Sequence, residues 1–369
     1  YAFIGLCAIR DYEIFWKQPF GSIPDRYFYN LIDNFSRNSE HQVKVFSTLY
    51  LNDKLNQLPK DIISGSRLNF KIPFTGKILE FFNKFVSNRK MIEFNPNIIH
   101  KTYYSNIFKK KKNARVILTV FDLFHENFSS KRNFKPKQKS IDLADHILCP
   151  SNNTKDDLIK IYNVDKMKIS VTYFGAENLQ KYISKENQSQ KNQKPYILYV
   201  GARSRYKNFI NLIKAYSRSE ALKKDFNILC FGGGQFNHTE KRLFIDLNIF
   251  DKVKFSSLST DQDLANLYYN AKCLVYPSKH EGLGLPPLEA MSIGCPVICS
   301  NHKAILEGVG SAAAVFDPYE INEITDTLEK TIYSENILND LIKKGHEQSK
   351  KFTWKKCTEE TLKQYQNLT

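Results

Sequence analysis

Nowhere in the 369 residues is there an apolar run of about 18 residues, so no helix of this chain is expected to cross a bilayer. The apolar opening, "YAFIGLCAI", is short, has no basic leader and runs into "RDYEIFW"; it reads as a first buried strand rather than a signal peptide. Cysteine is sparse and scattered. Its odd count of seven excludes a disulfide framework, and the close pair Cys295 and Cys299, in "GCPVIC", has the setting of core thiols rather than metal ligands. A reducing, cytoplasmic compartment is the expectation. No repeat of roughly 20–50 residues appears, which excludes a solenoid. Acidic residues are the minority, 38 against 54 Lys and Arg, a net of +16. Residues 1–175 carry 28 basic against 16 acidic, a net of +12, whereas residues 176–369 carry 26 against 22, a net of +4. A basic first half suits an anionic partner such as acidic lipid or a phosphorylated substrate, or else a solvated Lys-rich surface. No RNA- or DNA-binding signature is present, so nucleic acid is not the expected anion.

What is present is alternation. "QVKVFSTL", "NIIHKT", "ARVILTVF", "HILCPS" and "KISVTYF" read as strands, separated by segments such as "DRYFYNLIDNF" and "NTKDDLIKIYN" with apolar residues at helical spacing. The polar stretch at residues 176–195, "AENLQKYISKENQSQKNQKP", reads as a linker. After it the alternation resumes with "YILYVG", "FNILCFGGG", "VKFSS", "CLVYPS" and "PVICS". Strands alternating with helices make parallel sheets covered on both faces. The expected fold is therefore α/β: a first Rossmann-like domain over 1–175, the linker 176–195, a second Rossmann-like domain over 196–350, and a closing helix within 351–369, with the two parallel sheets facing across a cleft.

In open α/β sheets ligands sit beyond the carboxyl ends of the strands. "HEGLGLPPLEAM", residues 280–291, is a loop of this kind, with a strand expected to end near Ser278 and a helix to start near Pro287. Gly282 and Gly284 free the backbone to turn amides toward a ligand. Glu281 then lies on the loop and Glu289 in the first helical turn, so both meet one ligand at different places. A carboxylate accepting two vicinal hydroxyls is a sugar-binding device.

"EGLGLPPLEAM" resembles the E-x(7)-E motif of the retaining glycosyltransferases of family 4, which have the two-domain GT-B fold. The resemblance implies that Glu281 contacts the donor sugar, that the backbone of Gly282, Leu283, Gly284 and Leu285 meets its hydroxyls, and that Glu289 holds the nucleotide ribose. "YILYVGARSRYKNFINLIKAY" resembles the family's strand, Gly201, loop and helix, with Arg203 and Lys207 where an Arg and a Lys meet the donor diphosphate; Arg205 is a spare cation. Fixed cations there stabilise charge developing on the leaving group. "DYEIFWKQPFGSIPDRYFYNLI" is similar to the family's Gly-rich loop, with Gly21 kept, Ser22 in place of the second Gly and one extra residue before Arg26. "VILTVFDLFHENF" is similar to the stretch where many members carry a His-Asp pair; here Phe121 replaces the His, Asp122 follows, and His125 is the candidate substitute.

Two stretches are set aside. The D-x-D at Asp261 and Asp263 begins a helix behind Thr260 and reads as a cap rather than a metal site. "FGGGQF" lacks the lysine of a Walker loop. The resemblance thus implies a metal-independent retaining transferase with a GDP- or UDP-sugar as donor and a saccharide or lipid-linked hydroxyl as acceptor, acting in polysaccharide or lipopolysaccharide assembly. The alternatives are a non-catalytic sugar-nucleotide-binding subunit and a GT-B epimerase or phosphorylase. Residues 75–90, where Ile78, Phe81, Phe82 and Phe85 recur at helical spacing among Lys77, Lys84, Arg89 and Lys90, together with the four lysines Lys109 to Lys112, have the pattern of a peripheral contact with an anionic membrane; the alternative is that the phenylalanines face the domain core or the acceptor cleft.

Overall fold

The computed structural model describes residues 2–4, 23–37, 41–50, 53–68, 76–102, 113–124, 126, 135–183, 194–203, 205–258 and 260–369. The chain divides into two compact units. One carries the described residues up to Phe174 together with Trp354–Thr369; the other is Gly175–Thr353. Gly21, Ser22, His125 and Lys109 to Lys112 lie outside the described residues, as do the side chains of Lys77, Ile78, Phe81, Phe82 and Lys84.

The first unit is a parallel sheet in the order β3-β2-β1-β4-β5-β6-β7. Its strands are β1 (Ala2–Ile4), β2 (Lys44–Tyr50), β3 (Ile63–Arg67), β4 (Ile98–Lys101), β5 (Arg115–Thr119), β6 (His146–Cys149) and β7 (Ile169–Val171). The second unit is a parallel sheet in the order β10-β9-β8-β11-β12-β13. It is built from β8 (Tyr196–Val200), β9 (Asn227–Phe231), β10 (Val253–Ser256), β11 (Cys273–Tyr276), β12 (Val297–Ser300) and β13 (Ala314–Phe316). Central strands such as β4, β6, β8, β11 and β12 are buried along their whole length, as parallel strands covered on both faces must be.

Two strands escape the sequence pattern, and both lie at sheet edges. β3 is the polar "ISGSR", and a side chain at Gly65 would place its Cβ 1.6 Å from the Ser47 carbonyl oxygen, so only glycine allows this pairing. β13 is three residues long, too short for a period to register. The expected linker is also partly ordered structure: Glu177–Tyr182 form a 3-10 helix, Leu179 is buried, and Gln180 donates to the Ser292 carbonyl at 2.6 Å.

The final helix, Trp354–Gln366, follows the second unit in sequence and packs on the first. Tyr365 stacks near Phe35 of the Ile23–Ser36 helix, with ring centroids 5.4 Å apart, and its hydroxyl meets His100 Nδ1 at 2.5 Å. His100 Nε2 meets Thr119 Oγ1 at 2.8 Å. Burial pushes the His100 imidazole down to about 3, so it is neutral in the fold.

That value fixes a direction. The folded imidazole binds its proton less tightly than an unfolded one near 6.5, so stability is full above about 6.5 and is lost as pH falls toward about 3. A His100→Asn variant, which cannot be protonated, gives a flatter dependence of unfolding free energy across that window; urea titrations at stepped pH read the difference.

Candidate active site

The carboxyl ends of β8 and β11 carry the donor-side groups singled out from the sequence. Gly201 follows β8 with φ of +134°, its amide donating to the Phe231 carbonyl at 2.9 Å, and turns the chain into the loop that carries Arg203 and Lys207. β11 runs through Tyr276 into the motif loop, where Gly284 at φ +93° caps the Leu285–Ile293 helix. That helix begins at Leu285, earlier than the prolines suggest, so Glu289 is its fifth residue and lies beyond the first turn. A simple pairing of Glu289 with the helix dipole therefore does not account for its place. Leu283 and Leu285 turn their side chains into the core, each 3% exposed.

Lys207 and Glu281 meet directly. Lys207 Nζ donates to Glu281 Oε1 at 2.6 Å and to Tyr276 Oη at 3.0 Å, while Tyr276 Oη donates to the same Oε1 at 2.7 Å. Burial pulls the Lys207 ammonium down, but the Glu281 carboxylate and the flanking tyrosine oxygens of Tyr276 and Tyr206 more than reverse it, and Lys207 stays charged. Burial and the same carboxylate push the Tyr276 phenol up, so it remains a donor. Among the described residues, all the hydrogen bonds of Glu281 fall on Oε1; Oε2 is left for a further donor. Glu289, 5% exposed, accepts from Tyr268 Oη at 3.4 Å.

Arg203 does something different. Its Nε donates to Glu240 Oε1 at 2.6 Å, Nη1 to the Gly232 carbonyl at 2.9 Å, and Nη2 to the carbonyls of Gly234 at 2.8 Å and Gln235 at 3.0 Å. Its side chain is 4% exposed, and its guanidinium lies 4.8 Å from the Phe236 ring centre. The glycine run it holds has φ of +88°, +74° and +74°, a left-handed path that side chains disfavour. Arg203 thus fastens the loop after β9 to the loop after β8, and Arg205 is the exposed cation of the stretch.

Other sequence candidates have local partners of their own. Asp122, in the first unit, accepts from the Phe124 amide at 3.1 Å as a turn residue. Beside it Glu126 is tied to Lys137 at 2.7 Å and to Tyr162 Oη at 2.6 Å. Asp263 closes a capping box with Thr260, each side chain accepting from the other's amide, at 2.9 Å and 3.1 Å. Among the described residues no group of three or more His, Cys, Asp or Glu could hold a metal ion. Sequence reasoning missed Tyr276, Tyr268 and the pair His280 and His302, whose rings lie 5.1 Å apart edge to face. Burial, with His280 beside it, pushes His302 down to about 4. His280 opens the motif loop itself, and the spacing gave it no role; Tyr276, Tyr268 and His302 come from β11, the Asp261–Asn270 helix and the end of β12, which no local pattern ties to the loop.

Replacing Arg203 by Met strands the half-buried Glu240 carboxylate and several carbonyls. The expected cost is about 3 kcal/mol of unfolding free energy, read by urea titration; unchanged stability would show that the fork is not what holds the glycine loop.

With the geometry established, the comparisons carry weight. The profile described as Glycosyl transferases group 1 matches residues 181–348, and that of Glycosyltransferase Family 4 matches residues 25–177. The chain is 27% identical over 285 residues to O-antigen chain mannosyltransferase B of Escherichia coli, covering 71% of this chain and 73% of that one. It is 33% identical over 207 residues to the O-antigen chain mannosyltransferase RfbU of Salmonella typhimurium, covering 54% of this chain and 56% of that protein. In three dimensions it resembles a sucrose-phosphate synthase from Thermosynechococcus elongatus with a TM-score of 0.78 at 18% identity, covering 100% of this chain and 98% of that one. It also resembles Anabaena HepE in complex with UDP-glucose, with a TM-score of 0.74 at 14% identity, covering 99% of each chain. Two parallel α/β units, matches to both halves and these neighbours together show a GT-B fold, and the chain belongs to glycosyltransferase family 4.

Proposed function

We propose that this glycosyltransferase moves a hexose, with retention of anomeric configuration, from a GDP- or UDP-sugar to a hydroxyl of a saccharide or lipid-linked acceptor during lipopolysaccharide or polysaccharide assembly. The observation that carries the reading is the joined array of Lys207, Tyr276 and Glu281 at the carboxyl ends of β8 and β11. Glu281 Oε2 and the backbone of Gly282 to Leu285 take the sugar hydroxyls, Glu289 takes the ribose, and Lys207 opposes the charge that grows on the departing diphosphate. The anomeric carbon–oxygen bond to the diphosphate breaks on the face where the acceptor oxygen bonds, and a phosphate oxygen of the leaving group receives the acceptor proton. A lysine already fixed as a cation makes a metal dispensable on this route. The O-antigen mannosyltransferases among the relatives favour mannose and an O-polysaccharide acceptor. HepE with UDP-glucose keeps a uridine donor in view.

Melting with added nucleoside diphosphates tests the donor site: the cognate base at about 100 Kd adds about 2.7 kcal/mol. Glu289→Ala abolishes most of that gain, whereas Glu281→Gln keeps it and lowers turnover by about tenfold or more. Wild-type binding by Glu289→Ala overturns the ribose assignment, and loss of turnover in excess EDTA overturns metal independence.

A peripheral membrane contact belongs to the same proposal. Phe85 on the Gly76–Phe94 helix is 63% exposed, and Arg89 and Lys90 are exposed one turn on. Sedimentation with anionic vesicles that is lost in high salt, and absent with neutral vesicles, is the expected result; indifference to both points to a soluble acceptor.

A further inference from the structure

Lys101 is the last residue of β4, and β4 stands where the order of the first sheet reverses. β1 is flanked by β2 on one side and β4 on the other, so successive strands are laid outward in opposite directions from this boundary. Register places Lys101 beside Ile4 of β1 and Leu118 of β5. The carboxyl edge at such a reversal is where open parallel sheets bind ligands.

The side chain is anomalous for its position. Lys101 is 0% exposed, and its Nζ has neither a hydrogen-bond partner nor a counter-charge among the described residues. Three other cations largely taken out of water are paired: Lys137 with Glu126 at 2.7 Å, Arg203 with Glu240 at 2.6 Å, Lys207 with Glu281 at 2.6 Å. The preceding residue, His100, is committed to Thr119 and Tyr365 and is neutral, so it offers Lys101 no charge. Burial pulls the Lys101 ammonium down to about 8, which still leaves it cationic at neutral pH. An unpaired buried charge lowers stability, and a methionine of similar volume would not carry that cost.

We infer that Lys101 anchors a phosphate-binding site at the carboxyl edge of the first sheet, the bound phosphate supplying the counter-charge that the described residues do not. Phosphate suits the place better than a singly charged anion, because residues 1–175 carry a net of +12. Away from water one ammonium–phosphate contact is strong. Two sources present this chemistry: the diphosphate of the nucleotide donor and a phosphate borne by the acceptor.

The test compares wild type with Lys101→Met in the full chain, following thermal unfolding by tryptophan fluorescence, to which the first unit's buried Trp354 contributes. Without phosphate the variant melts at the same temperature as wild type or higher. Added inorganic pyrophosphate raises the wild-type Tm, and the rise is smaller in the variant. Lys101→Gln, neutral and polar, loses the same increment and serves if the methionine variant folds poorly. Steady-state kinetics then separate the sources: a donor KM raised about tenfold with the acceptor KM unchanged assigns the site to the donor diphosphate, and the reverse assigns it to the acceptor. An equal pyrophosphate response in wild type and both variants overturns the inference, as does a lowered Tm in both with the response intact. The melting arm needs no transfer reaction, so it stands or falls separately from the proposed activity.

Discussion

Glu281 is a carboxylate almost closed off from water, and a charge so placed has to be paired. Lys207 and Tyr276 do the pairing on a single oxygen, and the three residues come from three places: the loop after β8, the end of β11 and the motif loop itself. Neutralising one charge therefore fixes the relative positions of the segments that make up the site. The same pairing leaves Oε2 without a hydrogen bond among the described residues. The rest of the second unit supports that geometry. Pro-bearing Leu285–Ile293 starts where Gly284 allows, and Glu289 is carried one turn inward to a buried place beside Tyr268.

Two of the three cations of "GARSRYK", Arg203 and Lys207, divide the work. Arg203 has a planar fork of donors, and a loop of three consecutive glycines in left-handed conformations offers carbonyls that no regular element satisfies. The fork fits those carbonyls and Glu240, so Arg203 shapes the edge of the site from beneath. Lys207 is a point charge on a flexible stem, suited to stand next to a carboxylate and still present its charge to a ligand. Sequence reading treated both as equivalent contacts to the diphosphate because propensity and spacing do not tell which cation finds carbonyl partners.

In the first unit the corresponding edge is organised by what stays neutral. His100, Thr119, Tyr27 and Tyr365 form a buried hydrogen-bonded chain that carries the last helix of the protein back onto the first sheet. Against that background Lys101 stands out as a buried charge without a partner among the described residues.

Much was determined by the sequence itself. Apolar runs alternating with amphipathic segments dictate parallel strands covered on both faces, and "HEGLGLPPLEAM" marks a strand-loop-helix turn because its glycines and prolines fit no other element. Edge strands were not legible: β3 is polar and held by the close approach that Gly65 permits, and β13 is too short for periodicity. The 3-10 helix at Glu177–Tyr182 was hidden for a similar reason, since its order comes from Leu179 burial and a bond to Ser292 rather than from local pattern. Which side chains share a site was decided only in three dimensions. Tyr276 reads as one more core aromatic until β8 lies beside β11 and brings Lys207 to its hydroxyl, and the carbonyl partners of Arg203 appear only when the glycine loop lies beside it. Period and composition are properties of one segment, whereas pairing a buried charge depends on which segments the sheet order makes neighbours.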